Sequence, residues 1–162
     1  MSRLIVTALL WIAAIGCGVM AGVYFTFSAV IMPALERIGP APGTLTMNSV
    51  NVTILGSLFM PLFYATTLAS LALAVISLAH WRDPAAITLA AAGILYVLGM
   101  FGVTVVFNVP LNNALMAVEP GSSTTAGVWA HYLKDWTVWN HVRTCASLVA
   151  AILFVVALRT RA

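Results

Sequence analysis

PLFYATTLASLALAVISLAHWRDPAAITLAAAGILYVLGMFGVTVVF, residues 61–107, contains two long apolar runs joined by the short polar segment HWRDP at residues 80–84. Each run is free of charge and approaches or exceeds the roughly 20 helical residues that cross the hydrocarbon core of a membrane. Because the connection is so short, the second helix must return beside the first, which predicts an antiparallel pair of membrane helices. Pro84 suits the first turn of the second helix, where a missing N–H does little harm.

The composition of the whole chain is that of an integral membrane protein. Of its 162 residues, 62% are hydrophobic and only 7% are charged, and the mean hydropathy is +1.06. A water-soluble domain of this length has far more polar surface. The seven Lys and Arg residues are scattered, so the net charge of +3 gives no nucleic-acid footprint, and we expect no nucleic-acid partner.

The apolar runs extend over the whole chain and predict one domain. We predict an all-α integral membrane four-helix bundle over residues 1–162, with a short interfacial helix or a kinked extension ahead of the fourth span. The predicted spans cover approximately residues 4–33, 52–79, 85–107 and 136–158. The long connections, 34–51 and 108–136, then lie on the face opposite the termini.

The Lys and Arg residues near the ends of the spans predict the orientation, because short cytoplasmic loops are enriched in these residues. Four basic residues lie on the terminal side, namely Arg3, Arg82, Arg159 and Arg161. The other side has Arg37 and Lys134, with Arg143 inside the helix. We therefore predict a multi-pass protein of the plasma membrane with both termini in the cytoplasm.

The first span carries Gly18 and Gly22, two small residues four apart. This spacing lets another helix approach closely. Packing inside the bundle is the favoured interpretation, and contact between copies in a homo-oligomer is the alternative.

The stretch DWTVWNHVRT, residues 135–144, brings polar side chains into the fourth span. The apolar part after it, residues 144–158, has 15 residues. At ~1.5 Å per residue it covers only ~22 Å of a hydrocarbon core that is ~30 Å thick. Asn140, His141 and Arg143 must therefore lie at membrane depth. Because such groups are costly in lipid, we expect the helix face that holds Asn140 and Arg143 to turn inward, toward polar partners.

The partners of this face are predicted from the ends of the other spans. Pro110 cannot continue the helical hydrogen-bond ladder, so we expect the third helix to end near Asn108 and to leave carbonyl groups free close to Arg143. Glu36 is a candidate counter-ion for Arg143. The predicted pocket combines amides with aromatic rings: Asn51, Asn108, Asn112 and Asn140 with Tyr24, Phe27 and Trp136. Purely structural or lipid-binding roles stay open for these residues. Amides often cap helices, tryptophans often anchor at interfaces, and an Arg can bind lipid phosphate.

The sequence contains no strong metal motif. Its histidines are His80, His131 and His141, and the first falls on the opposite side of the membrane from the other two. Two histidines ten apart fall short of a convincing copper, zinc or haem site. We therefore predict no metal site and no cofactor, although the sequence leaves haem and copper open.

Four stretches resemble the anthrone oxygenase family of small membrane proteins: AGVYFTFSAVIMPAL (21–35), MNSVN (47–51), GVTVVFNVPLNNAL (102–115) and W-x-x-Y followed by WTVWNHVRT (129–144). The resemblance covers almost the whole chain and keeps the order of the motifs. It implies a four-helix membrane protein and, by the name of the family, the oxidation of anthrones to anthraquinones. The resemblance brings no established catalytic residues, so the assignment of the site depends on the physical reasoning from the sequence given above.

An enzyme of this kind needs a base, a group that stabilises an enolate oxygen, and a flat apolar slot. We predict His141 as the base, because imidazole changes its protonation near neutral pH. The other roles are divided between polar and aromatic groups: Arg143 and Asn140 for the oxyanion, with Asn51, Asn108 and Asn112 beside them, and Tyr24, Phe27 and Trp136 around the rings. The expected partners are a lipophilic small molecule, O2 and membrane lipids. The alternatives are a module that binds a quinone, a lipid or haem without chemistry, and a structural membrane subunit.

Overall fold

The computed structural model describes residues 3–161. Arg161, which contributes to the predicted charge asymmetry, is described only in its backbone. Within this range the chain is helical and contains no strand. Four of its helical segments are long and apolar enough to cross a membrane, and we call them the first to fourth spans: Arg3–Ile38, Phe59–Ala79, Ala86–Met116 and Thr125–Thr160. The predicted all-α membrane four-helix bundle is confirmed.

The spans are built from α-helices with π-helical stretches between some of them. The α-helices are α1 (Arg3–Thr26), α2 (Met32–Ile38), α3 (Pro40–Leu55), α4 (Phe59–Ala79), α5 (Ala86–Tyr96), α6 (Val109–Met116) and α7 (Thr125–Arg161). The π-helical stretches are Phe27–Ile31 in the first span, and Val97–Gly102 and Thr104–Asn108 in the third.

Small residues bring the helices of the bundle close together. α1 packs against α4 and α7, and α5 packs against the same two helices. A Cβ atom built on Gly99 would lie 2.6 Å from the Cβ of Ala146, so the third span and α7 touch almost backbone to backbone there. Gly18 and Gly22 do not serve this purpose, because a Cβ atom on either would meet nothing within 4 Å. The predicted Gly18–Gly22 packing inside the bundle is therefore replaced by contacts at other small residues.

Pro33 and Pro110 lie inside the first and third spans without ending them. Each occupies one of the first two positions of an α-helix that follows a π-helical stretch. A proline has no N–H to give to the ladder, and the wider π turn before it accommodates this irregularity. The prediction that the third helix ends near Asn108 is corrected, since the span continues to Met116.

The connection predicted over residues 34–51 is largely helical. α3 begins at Pro40, directly after Gly39, whose φ of 90° lies in the left-handed region that favours glycine. The chain turns at residues 56–58, where the Ser57 hydroxyl donates to the Ile54 carbonyl at 2.8 Å and accepts from the Phe59 N–H at 3.2 Å. The second span therefore starts at Phe59 and not near residue 52. α3 lies over the end of the bundle opposite the chain termini, which we call the cavity end.

α7 is one helix of 37 residues, with no separate interfacial helix ahead of the fourth span. At ~1.5 Å per residue it is far longer than the ~30 Å hydrocarbon core, so it extends past the other spans. Its extension carries Trp129, Tyr132 and Trp136, whose rings stack in series at centroid distances of 5.8 and 5.9 Å. These rings are buried against α2, α3 and α6 in a second hydrophobic core. They hold the cavity end together.

Candidate active site

A cavity of about 290 Å³ lies at the cavity end of the bundle, between α1, α3, α4, the third span and α7. Its volume is at the small end of the range for ligand pockets, which starts near ~300 Å³. Most of the wall is apolar or aromatic, including Phe27, Met47, Phe59, Phe63 and Phe101. Polar groups enter this wall at a few positions, namely Asn51, Thr104, Asn112 and Arg143, together with the polar atoms of Tyr24, Tyr64 and Trp136. The cavity is therefore an aromatic slot with a small number of placed polar groups.

Arg143 supplies the only charged side chain among the residues that line this cavity. Its side chain is 5% exposed, and its Cζ atom lies 4.4 Å from the centroid of the Tyr24 ring and 5.1 Å from that of Trp136. No carboxylate among residues 3–161 lies within ion-pair distance of it. Two aromatic faces thus stabilise the cation without neutralising it.

Hydrogen bonds fix the position of the guanidinium. Nη2 of Arg143 donates to Oδ1 of Asn140 at 2.6 Å, and Nη1 donates to the hydroxyl oxygen of Thr104 at 3.4 Å. The third nitrogen, Nε, has no hydrogen-bond partner. Asn140 and Arg143 are three apart on α7, which places their side chains on one face of the helix. The guanidinium is held by neutral groups and keeps its charge for the cavity.

Asn140 is fully buried and connects α7 to the first span. Its Nδ2 atom donates to the carbonyl oxygen of Tyr24 and to the hydroxyl oxygen of Ser28, each at 2.6 Å. Ser28 belongs to the π-helical stretch Phe27–Ile31, where the backbone ladder is wider than in an α-helix. Asn140 therefore uses both ends of its amide, one to anchor the first span and one to position Arg143.

The other predicted amides lie around the same cavity. Asn108 is 1% exposed, and its Nδ2 donates to the carbonyl oxygen of Trp136 at 3.3 Å. Asn112 lines the cavity, and its Oδ1 accepts a hydrogen bond from the Tyr132 hydroxyl at 2.9 Å. Asn51 reaches the cavity from α3. The two predicted connections, residues 34–51 and 108–136, thus both contribute amides to this end of the bundle.

The structure brings eight of the nine predicted site residues together. Those that line the cavity are Tyr24, Phe27, Asn51, Asn112, Trp136 and Arg143. Asn108 and Asn140 are buried behind the wall and hold its residues in place. Tyr24 and Trp136 flank the guanidinium of Arg143, so at least one face of each ring is already in use.

His141 is the predicted residue that the structure does not bring to the cavity. It is exposed and lines a separate groove with Glu36 and Lys134, between the first span and α7. His141 precedes Arg143 by two residues, which rotates it by about 200° around a helix of 3.6 residues per turn. The cavity is therefore out of its reach in this arrangement. Glu36, the predicted counter-ion, lies in the same groove and does not pair with Arg143.

The histidines do not converge on a common site. His131 Nδ1 lies 3.2 Å from Oδ2 of Asp135, and His80 Nδ1 lies 2.9 Å from the Ile76 carbonyl oxygen at the other end of the bundle. In the part of the chain that the structure describes, no group of three His, Cys, Asp or Glu side chains is placed to hold a metal ion.

Sequence reasoning missed Thr104 and Ser28, and it noted Tyr132 as part of an aromatic series without including it in the predicted site. Thr104 lies one helical turn before Asn108 in an otherwise apolar span, and this spacing could have identified it. Tyr132 shares a helix face with Trp136 and Asn140, four residues apart in each step. Ser28 gave no signal, since small hydroxyl residues are common inside membrane helices.

A comparison with protein families adds an independent finding. The family model of anthrone oxygenase matches residues 50–153, more than half of the 162-residue chain. No curated protein and no solved structure matches the chain. The matched range contains Asn51, Thr104, Asn140 and Arg143, whereas Tyr24 lies before it. The chain belongs to the anthrone oxygenase family.

Proposed function

We propose that this membrane oxygenase-like protein oxidises a lipid-soluble phenolic or anthrone-type substrate with O2 in the cavity that Arg143 lines. One observation carries the proposal: a buried guanidinium without a carboxylate partner faces an aromatic slot. A fixed cation in a water-poor site stabilises negative charge that develops on a bound oxygen. Ionisation of a phenol or an anthrone places its charge on such an oxygen.

The surroundings of Arg143 suit this task. A carboxylate partner would neutralise the guanidinium, whereas Tyr24 and Trp136 stabilise it through their ring faces and leave the charge in place. Asn140 and Thr104 orient it beforehand, so little reorganisation is needed when the substrate becomes an anion. The flat rings of Phe27, Phe59 and Phe63 offer apolar surface to a polycyclic substrate.

In the proposed reaction, the substrate first loses the proton of its methylene group to solvent. The resulting enolate oxygen accepts an N–H hydrogen bond from Arg143. The enolate transfers one electron to O2, and the two radicals combine in a C–O bond at the former methylene carbon. Protonation gives a hydroperoxide. Loss of the remaining C–H proton and cleavage of the O–O bond then release water and leave a second ketone, so that anthrone and O2 become anthraquinone and water.

Stabilisation of the anion is assigned to Arg143, and Asn140 is assigned the role of positioning it. The residues that line the cavity include no histidine and no carboxylate, so the acceleration is attributed to stabilisation of the anion. His141 was predicted as the base, and its exposed position in the neighbouring groove gives that role no geometric support. Turnover by variants of Arg143 and of His141 distinguishes anion stabilisation by Arg143 from proton abstraction by His141.

The rim of the cavity supports entry from the membrane. Leu55 and Tyr64 on one side and Val105 and Val109 on the other line the cavity and are also exposed on the surface of the bundle. The second span, Phe59–Ala79, has 21 residues, a length of ~31 Å that matches the ~30 Å hydrocarbon core. Its first residues line the cavity, so we place the opening near one edge of the hydrocarbon layer. A substrate dissolved in lipid would enter sideways there.

The test is turnover by purified protein in mild detergent. An anthrone is added, and O2 uptake and quinone absorbance are followed above the spontaneous rate. We expect acceleration by the unaltered protein, a loss of roughly 100-fold or more in Arg143→Gln, and near-normal turnover in His141→Ala. Equal turnover in unaltered and Arg143→Gln proteins would refute the assignment. Binding of the anthrone without any acceleration would instead support the alternative, a membrane module that binds such ligands without chemistry.

A further inference from the structure

The groove between the first span and α7 has charged walls and lies outside the cavity. Its volume is about 420 Å³, and Glu36, Lys134 and His141 line it. All three residues are exposed, and within residues 3–161 none of their side chains forms a hydrogen bond or an ion pair. An acidic and a basic side chain thus share one groove without pairing, and both are open to a ligand from outside.

One hydrogen bond fixes the register of the two walls. Asn140 on α7 donates to the hydroxyl oxygen of Ser28 on the first span, and Ser28 lines the groove. At ~1.5 Å per residue, Lys134 lies ~9 Å and Glu36 roughly 10–12 Å from this contact, both toward the cavity end. His141 is level with the contact and two helical turns from Lys134, so these two side chains lie on one side of α7. The opposite charges therefore stand at the outer end of the groove and the imidazole at its inner end.

The inner end of the groove lies near the edge of the hydrocarbon layer. The Tyr24 carbonyl also accepts a hydrogen bond from Asn140, and the Tyr24 ring contacts that of Phe59 at a centroid distance of 6.4 Å. Phe59 is the first residue of the second span, whose length matches the hydrocarbon core. The headgroup layer on each side of a bilayer is roughly 5–8 Å thick. The groove thus runs through this layer, from His141 at its inner border to Glu36 and Lys134 at its outer border.

The chemistry of the groove suits a phosphate ester that carries a primary ammonium group. Lys134 and His141 can donate hydrogen bonds to phosphate oxygens from the outer and the inner side. The carboxylate of Glu36 can accept N–H hydrogen bonds from the ammonium. Between the polar groups the wall is apolar, with Pro33 and Leu133 among its residues. This surface suits the glycerol and the first methylene groups of a phospholipid better than a soluble phosphate.

Other phospholipid headgroups match the groove less well. Choline has no N–H for Glu36, and proteins recognise such quaternary ammonium groups with cages of aromatic rings. No Phe, Tyr or Trp is among the residues that line the groove. A headgroup without a cation, such as glycerol, would place the phosphate charge near Glu36 with nothing to offset the repulsion.

We infer that this groove binds phosphatidylethanolamine, with its phosphate between His141 and Lys134 and its ammonium on Glu36. The lipid would contact both the first span and α7, on the outer side of their Asn140–Ser28 hydrogen bond. The inference uses no residue that lines the cavity. It therefore goes beyond the proposed function and can hold or fail whether or not the protein oxidises anything.

The experiment is a competition between lipids. Purified protein freed of lipid in detergent is mixed with equal amounts of phosphatidylethanolamine and phosphatidylcholine that have identical acyl chains, and native mass spectrometry counts the lipid bound. We expect the unaltered protein to bind phosphatidylethanolamine about tenfold more tightly. Phosphatidylglycerol should also bind less than phosphatidylethanolamine. Water-soluble phosphoethanolamine in excess should not displace the lipid.

Three variants locate the effect. Glu36→Gln removes the partner of the ammonium, and we expect it to bind phosphatidylethanolamine and phosphatidylcholine with similar affinity. Lys134→Gln removes a phosphate contact that both lipids share, and it should weaken the binding of both. Glu119→Gln is the matched control, because Glu119 is an exposed acid outside the groove, and it should keep the preference.

Equal binding of phosphatidylethanolamine and phosphatidylcholine by the unaltered protein would overturn the inference, as would a preference that survives in Glu36→Gln. Unchanged binding in Lys134→Gln would contradict the position given to the phosphate. Displacement of the lipid by phosphoethanolamine would show a site for a soluble ligand instead. If Glu36→Gln does not fold, the competition on the unaltered protein still decides whether the groove selects the ammonium.

Discussion

The carbonyl oxygen of Tyr24 accepts a hydrogen bond from Nδ2 of Asn140 at 2.6 Å, across 116 positions of sequence. This bond joins the first span to α7 at the level where Tyr24 also places its ring over the guanidinium of Arg143. One contact between two spans thus sets both the packing of the bundle and the position of its buried cation.

Replacing Asn140 should destabilise the bundle. Asn140→Ala removes two hydrogen bonds to the first span and one to Arg143. At ~0.6–1.7 kcal/mol per interhelical bond in a membrane protein, we expect the loss of the two bonds to the first span to lower the free energy of unfolding by roughly 1–3 kcal/mol. Denaturation in detergent measures the change. Asn113→Ala is the control, since Asn113 is exposed and should change stability little; equal stability of the two variants would contradict the role of Asn140.

A bulky residue at the rim should hinder entry of the substrate. Val105 lines the cavity and is exposed on the surface, whereas Val106 is exposed but does not line it. We expect Val105→Trp to lower kcat/KM by about tenfold, or ~1.4 kcal/mol in the barrier, while Val106→Trp keeps it. Steady-state kinetics with a lipid-soluble substrate in nanodiscs provide the comparison. If Val106→Trp is the slower variant, the entrance lies elsewhere.

Two glycine substitutions should change stability in opposite directions. A Cβ atom on Gly43 would lie 2.5 Å from Cζ2 of the buried Trp129, so Gly43→Ala should force α3 away from α7 and destabilise by ~1–3 kcal/mol. A Cβ atom on Gly127 meets nothing within 4 Å. Gly127→Ala should therefore stabilise α7 by ~0.5–1 kcal/mol through helix propensity. Thermal unfolding of both variants measures these changes in stability. A stabilising Gly43→Ala would show that α3 is not packed as described.

The sequence predicted the bundle and most of the cavity because both follow from long-range physical constraints. Uncharged runs of membrane length leave little choice but spanning helices, and the shortness of the apolar part of the fourth span forces Asn140 and Arg143 into the bundle. The residues on that helix face were then expected to have polar partners. Asn51, Asn108 and Asn112 were found by that reasoning.

The local details were less predictable because they depend on rotation and ladder geometry. Pro110 was expected to end a helix, but a π-helical stretch ahead of it carries the span onward. His141 was grouped with Arg143 by proximity in sequence, although two residues along a helix point to nearly opposite sides. Most of α3 was predicted to be a connection between the first two spans, over residues 34–51, and its sequence shows little amphipathic periodicity. Only its packing against α7 and α6 reveals why it is helical.

The orientation in the membrane is a separate prediction. Arg3, Arg82 and Arg159 lie at the terminal end of the bundle, and we expect this end to face the cytoplasm. A fluorescent protein fused to the C-terminus should fluoresce in cells, whereas a periplasmic phosphatase fused there should be inactive. The opposite pair of results would place the cavity end, and hence the opening to substrate, on the cytoplasmic side.

The proposed role of Arg143, stabilising the anion of the bound substrate, can be tested by an anaerobic titration. Without O2 the bound anthrone cannot turn over, and the absorbance of its enolate reports the ionised fraction as pH is raised. A cation beside the oxygen favours the charged form, so we expect the pKa of the bound substrate to lie well below its value in detergent alone. This shift should persist in His141→Ala and vanish in Arg143→Gln. The same substrate pKa in the unaltered protein and in Arg143→Gln would contradict the account.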